Sequence, residues 1–268
     1  MRDSVRLFMR YVGISLRGQM QYRVSFITLT FAQFVITGTD ILAIWVLFSR
    51  FGSLQGWRLP EVALLYGIVN VSFGLAELMG RGFDMFAALV KSGDFDRLLL
   101  RPRSTAFQVA AGEVQAMRVG RILQGGVVLV WSLIALGVHL SPAWMLLILF
   151  AIAGCCCLFY GLLVLYATLA FWTTESLEVM NILIYGGTEV GSYPFSIFRP
   201  WFRRIFIFLV PLACVTYLPA LPVLGRPDEA IGTAPWFHWI APLAGFLFLL
   251  VSLQVWKLGV RHYRSTGS

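Results

Sequence analysis

The stretch WMLLILFAIAGCCCLFYGLLVLYATLAFW, residues 144–172, carries no charged side chain. It is longer than the ~20 apolar residues that cross ~30 Å of hydrocarbon as a helix. Lipid offers no partner to backbone N–H and C=O groups, so a spanning segment must be a helix or part of a closed barrel. Barrel strands alternate apolar and polar positions over ~10 residues, and this run is continuously apolar. The chain therefore reads as an all-α integral membrane protein.

Residues 24–48, 62–79, 120–138 and 239–255 extend that reading outward as further spans. A fifth apolar region, 179–224, is interrupted by Pro194, Pro200, Pro211, Pro219 and Pro222. Charged residues make up only 13% of the chain, against the roughly 25% of a soluble domain. No internal repeat, low-complexity tract or linker divides residues 1–268, and the connections at 49–60, 139–143 and 225–238 are short. One transmembrane domain is expected.

The cations orient it. The net charge of +8 would favour nucleic acid in a soluble protein; here the positive-inside rule accounts for it and no nucleic-acid partner is expected. Arg2, Arg6, Arg10, Arg17 and Arg23 precede the first span. Arg81, Lys91, Arg97, Arg101, Arg103, Arg118 and Arg121 lie between or flank the second and third spans, and Lys257, Arg261 and Arg264 lie at the end of the last. All three clusters fit the cytoplasm, which places both termini inside and makes the span number even, most simply six. Arg199, Arg203 and Arg204 do not fit so simply. They are outside if 179–198 is the fifth span and inside if 205–224 is, and charge alone prefers the second.

Before the first span, Arg6, Arg10 and Arg17 fall within roughly 40° of one another at ~100° per residue, with Asp3 and Gln21 extending the stripe and Leu7, Phe8, Tyr11 and Ile14 away from it. This pattern predicts an N-terminal helix lying in the interface; the alternative is an ordinary basic flank. The apolar run that follows is too long for a signal-peptide h-region.

Catalytic patterns are missing. There is no Gly-rich phosphate loop followed by Lys-Ser/Thr, no His-Glu-x-x-His and no Gly-x-Ser-x-Gly. Cys155, Cys156 and Cys157 are consecutive, so on a helix they diverge by ~100° and cannot converge on one metal. No cofactor or metal is expected in this chain. Ionisable groups inside spans are costly and default to function. Asp40 in the first span and Glu189 in the fifth region are candidates for a polar translocation path, or for inter-helix partners. Glu77 is expected to pair with Arg81, four residues on. Glu113, Arg118 and Arg121 read as a solvated or ion-paired approach to the third span.

Between the second and third spans, KSGDFDRLLLRP (residues 91–102) is an island of charge in a chain built for lipid. It reads as a cytoplasmic loop shaped to be gripped by another protein. Together with its continuation to Ser104, it is similar to the inner loop of the ABC-2-type ABC transporter permeases, in their subgroup of small six-span permeases. YPFSIFRPWFRR (193–204), VPLA (210–213) and YLPALPVLG (217–225) are similar to that family's pattern before its last span, with Val210 where Asn is common.

The resemblance implies six transmembrane helices with a cytoplasmic coupling helix over 84–90 and a re-entrant hairpin before the last span, which would put Arg199, Arg203 and Arg204 outside. It implies coupling to a separate cytoplasmic ABC ATPase dimer, which would carry the ATP and magnesium, through Asp84, Lys91, Asp94, Asp96, Arg97 and Arg101. It implies an outer gate near Tyr193, Pro194, Pro211 and Pro219. It implies a second permease, identical or related, in a bacterial plasma membrane, with membrane lipid around both. The expected function is a permease subunit of an ATP-driven exporter; the rivals are a secondary transporter and a membrane enzyme acting on a lipid.

Overall fold

The computed structural model describes residues 13–14, 17–19, 21–138, 141–173, 178–228 and 230–263. Most of the expected N-terminal interfacial helix, including Arg6 and Arg10, lies outside the described residues. The helices, numbered from the first long one, are α1 Arg23–Phe51, α2 Leu59–Asp84, α3 Phe86–Lys91, α4 Phe95–Leu99, α5 Thr105–Gly112, α6 Val119–Ala135 and α7 Pro142–Leu169. They continue as α8 Glu178–Gly191, α9 Pro200–Arg204, α10 Leu212–Val215, α11 Tyr217–Leu224, α12 Phe237–Ile240 and α13 Leu243–His262. Among the described residues five helical segments are long and apolar enough to cross a membrane, and the pair Pro200–Leu209 and Leu212–Leu224, bent by 72°, makes a sixth if counted as one. Among the described residues there is no strand, only an isolated bridge between Leu54 and Trp57.

Helix α2 is the axis of the bundle. It is buried along nearly its whole length, from Glu61 to Phe83, because α6 and α7 pack on it and α13 packs on α7. Helix α1 touches this core through one narrow face, Thr37, Ile44 and Phe48. Side chains such as Phe31, Ile36, Trp45 and Val46 on its other faces are exposed. Lipid tails are as apolar as leucine, so tight helix pairing in a membrane comes from close packing at small residues. The α7–α13 crossing is the clearest case: a Cβ on Gly245 would lie 1.9 Å from the Gly154 carbonyl oxygen.

The first four expected spans match helices α1, α2, α6 and α7 to within a few residues. The last, expected over 239–255, lies within the membrane-crossing segment Phe237–His262; that segment is interrupted, with Trp239 in the short helix α12 and the long helix starting at Leu243, directly after Pro242. Proline lacks an N–H and suits a helix start, which sets the boundary there.

The proline-rich region is broken where the sequence is. Pro194 precedes a 3-10 turn at Phe195–Ile197, and Pro200 opens α9. Pro211 stands at the corner between the π-helical turn Ile205–Leu209 and α10, while Pro219 lies in the first turn of α11 and only Pro222 is interior. The corner is deep, since Leu212 and Val69 both approach Gly191. Val69 lies ten residues into α2, about 15 Å from its start.

Candidate functional site

The two ends of the bundle are built differently. At the end where α2 finishes and α13 finishes, Phe86 at the start of α3 and Phe95 from the charge island insert between Phe171, Trp256 and Tyr263. Ring centroids lie 4.8 Å apart for Phe86–Trp256, 5.1 Å for Phe86–Phe95 and 4.9 Å for Phe95–Tyr263. Edge-to-face pairs of this kind add to simple burial. Trp256 donates its indole N–H to Thr105 Oγ1 at 3.1 Å, tying α13 to α5. The helices α3 and α4 are thus anchored by their aromatic faces, and their other faces are left outward.

The expected coupling residues divide accordingly. Asp84 is the last residue of α2 and pairs with Arg81. Asp94 pairs with Arg97 at 3.2 Å and accepts from Ser92 Oγ at 2.9 Å. Asp96 lies beside the Tyr263 hydroxyl, which burial and that carboxylate push above the usual phenol range. Lys91, Arg97 and Arg101 are exposed, and so is Leu100, which lies between the two arginines in sequence and is 87% exposed. An apolar tip inside a charged rim is the usual anatomy of a protein-binding patch.

Glu77 does not pair with Arg81. It is 6% exposed and is held by Arg118 at 3.2 Å and Arg121 at 3.3 Å, from the turn before α6 and from α6 itself. The expected i,i+4 partner turns instead to Asp84. The reason is burial: Arg118 and Arg121 enter the bundle with few other places to discharge, and a buried ion is stable only when paired. Arg121 also lies over the Phe73 ring at 4.8 Å. Arg118 donates to Gln115 Oε1 at 2.8 Å and to Gln33 Oε1 at 3.5 Å, and Tyr66 donates to the Thr37 carbonyl at 2.8 Å. A polar seam therefore runs between α1, α2 and α6.

Asp40 and Glu189 border this seam. They come from α1 and α8, each within the other's electrostatic field and both within that of Arg121. Neither forms an ion pair among the described residues. The structure also brings Tyr193 into their field. Pro194 and Pro211 are positions of backbone breaks, and Pro219 lies in the first turn of α11, rather than members of this group.

At the opposite end, Glu61 accepts from Arg226 Nε and Nη2, both at 2.8 Å, and from the Arg58 backbone N–H at 2.7 Å. Arg226 also donates to the Gly56 carbonyl at 2.7 Å and covers Trp57 at 4.5 Å, while Trp57 donates to Ser196 Oγ at 3.0 Å. Arg203 donates to the Ala230 carbonyl at 2.7 Å. Asp228 organises the loop by accepting from Ile231 N at 2.9 Å, Thr233 N at 2.8 Å and Thr233 Oγ1 at 2.6 Å. Burial pushes the Asp228 carboxyl up, but these hydrogen bonds outweigh it and hold it below the usual carboxylate range. Sequence reasoning missed this node. Glu61 was not singled out, although an acid in the first turn of an apolar helix is a signal that could have been used.

The family model for ABC-2 family transporter proteins matches residues 34–267. The chain belongs to that family. It is a membrane permease component of an ABC-2 transporter, consistent with its several spans. No curated protein and no solved structure matches it.

Proposed function

We propose that this chain is one six-span permease domain of an ATP-driven exporter, forming half of a translocation path and taking its energy from a separate cytoplasmic ABC ATPase pair. The observation that carries the reading is the anchored charge island. The helices α3 and α4 are locked by Phe86 and Phe95 into the aromatic cluster at the foot of α2 and α13, so a push on their exposed rim reaches the bundle as a rigid-body movement. The island then faces the cytoplasm, with both ends of the chain on that side.

The fifth span in this reading is α8, and α9 to α11 form a re-entrant hairpin. Support comes from the two hydrogen-bond anchors of that segment. Arg203 near its start binds Ala230 in the loop that follows, and Arg226 just past its end binds Glu61 at the start of α2, so both ends are tied at that end of α2 and its neighbouring loop while the corner at Leu212 packs with Val69 against Gly191. Irregular backbone at membrane depth is tolerated where protein shields it, and Leu212, Ala213 and Val215 are fully buried. The path is bordered by Asp40 and Glu189. A second permease, identical or related, covers the open side that exposes α1 and α8.

Two experiments test this. The double substitution Arg97→Glu with Arg101→Glu should leave the chain inserted and abolish co-purification of an ATPase subunit from the native membrane; unchanged co-purification refutes the coupling role. A cysteine at Arg203, in a background without Cys155, Cys156, Cys157 and Cys214, should react with an impermeant thiol reagent outside intact cells. Reaction only after the membrane is opened would assign a conventional span to 205–224 instead.

A further inference from the structure

The segment Pro200–Leu209, first limb of the bent pair, has two unlike faces. Its inner face is an aromatic ladder. The Phe202 ring centroid lies 5.3 Å from that of Phe198 and 5.1 Å from that of Phe206, and Phe206 is buried. Arg203 adds its hydrogen bond to the Ala230 carbonyl. The outer face carries Trp201, 62% exposed, Phe208, 82% exposed, and Leu209, 67% exposed, together with the exposed Arg199 and Arg204. Neither Arg199 nor Arg204 has a partner among the described residues. One face is therefore committed to the bundle, and the other offers two cations and three large apolar side chains to whatever lies outside it.

The outer face is graded with depth. Arg203 is tied to the loop at the Glu61 end of α2, where Arg226 binds Glu61. The limb runs from there to the Pro211 corner, where Leu212 packs with Val69 against Gly191. Val69 lies about 15 Å down α2, halfway through ~30 Å of hydrocarbon. The arginines and Trp201 thus stand at the level of lipid headgroups, and Phe208 and Leu209 lie deeper, among acyl chains. A bilayer presents its own chemistry in the same order, with charge outermost, an interface that favours tryptophan, and hydrocarbon below.

We propose that this face docks an anionic phospholipid, with the phosphate against Arg199 and Arg204, the glycerol region against Trp201 and an acyl chain along Phe208 and Leu209. Charge selects the occupant, because two cations without a carboxylate to answer them among the described residues fit an anionic headgroup. A second copy of this chain is the poorer occupant. A two-fold contact through this face would set the same arginines against each other, and like charges in an interface are costly. The docking needs neither ATP nor an ATPase, and it is the same whichever side of the membrane the Glu61 end occupies. It stands or falls separately from the exporter reading.

The test places photoreactive p-benzoylphenylalanine at Phe208 in the full chain, held in nanodiscs of equal phosphatidylglycerol and phosphatidylcholine. Lipid adducts are counted by mass spectrometry after irradiation. The same residue at Leu247, exposed on α13, reports the bulk lipid. Each cation at a charged bilayer surface favours anionic lipid by about fivefold, so phosphatidylglycerol adducts at position 208 should exceed the Leu247 ratio by at least that factor. Arg199→Gln with Arg204→Gln should return the ratio to the Leu247 value and keep the melting temperature, since both side chains are exposed. If the double variant fails to fold, Arg204→Gln alone carries the test, with an expected drop of about fivefold. A ratio at position 208 equal to that at Leu247, or one unchanged by these substitutions, overturns the proposal. So does irradiation in the native membrane that joins position 208 mainly to a polypeptide; that result assigns the face to a protein partner.

Discussion

Helix α2 carries a buried glutamate near each end, and the two are neutralised in opposite ways. Glu77 is gripped by two arginines, Arg118 and Arg121, that arrive together from the start of α6. Glu61 is gripped by one arginine, Arg226, that arrives from 165 residues away, makes two 2.8 Å contacts and rests on Trp57. The first arrangement leaves an excess positive charge inside the bundle, in whose field Asp40 and Glu189 sit. The second closes its charge locally and staples the end of α11 to the start of α2. One glutamate belongs to an electrostatic network that reaches the mid-bundle acids; the other is a clasp.

The comparison makes graded predictions. The largest effect is expected for Glu77→Ala, which strands two largely buried guanidinium groups. Breaking a buried pair from one side costs ~3–5 kcal/mol, and the variant should show a strongly lowered melting temperature or fail to accumulate. Arg226→Ala should cost less, roughly 1–3 kcal/mol, because Glu61 keeps the Arg58 N–H and sits at the mouth of the loop. If Arg226→Ala proves the more damaging, the clasp rather than the network supports the bundle.

A smaller, pH-dependent effect belongs to Asp228. Its carboxyl is held below the usual range in the folded loop. The stabilisation is therefore full above the unfolded value of about 3.9 and is lost as pH falls through the lower folded value. Hydrogen exchange of Ile231 and Thr233 should accelerate on acidification below about pH 4, and Asp228→Asn should flatten that dependence. Unaltered exchange across the same range would mean that Arg203 and Arg226 alone hold the loop.

The smallest effect on stability is expected for Asp40→Leu. Asp40 forms no ion pair among the described residues, so its removal should change the melting temperature little while altering transport by the proposed complex. A loss of several kcal/mol would instead make it an inter-helix partner, and would take it off the path.

How far the residues alone reach can be judged at these same positions. The continuous apolar run at 144–172 was sufficient for α7, because backbone desolvation leaves a membrane-spanning chain almost no alternative to a helix. The prolines of 194–222 announced breaks for an equally local reason, the missing N–H and the clash with the preceding turn. Pairing was not legible. Arg81 lies one turn from Glu77 and was the natural partner by spacing, yet the arginines that reach it come from another helix. Trp57, Glu61, Ser196 and Arg226 share no sequence pattern, although they form one node.

The residues alone already show that the chain is helical, that it lies in a membrane, where most of its breaks fall, and which loop concentrates charge. Each of these follows from hydrophobicity and backbone chemistry that act over a few residues. Which charges neutralise one another, how Phe86 and Phe95 anchor the charge island, and why the Gln108 Oε1 atom is buried without a partner among the described residues emerge from the packed fold. Those outcomes depend on distances between helices remote in sequence, set by how closely α2, α6, α7 and α13 can pack.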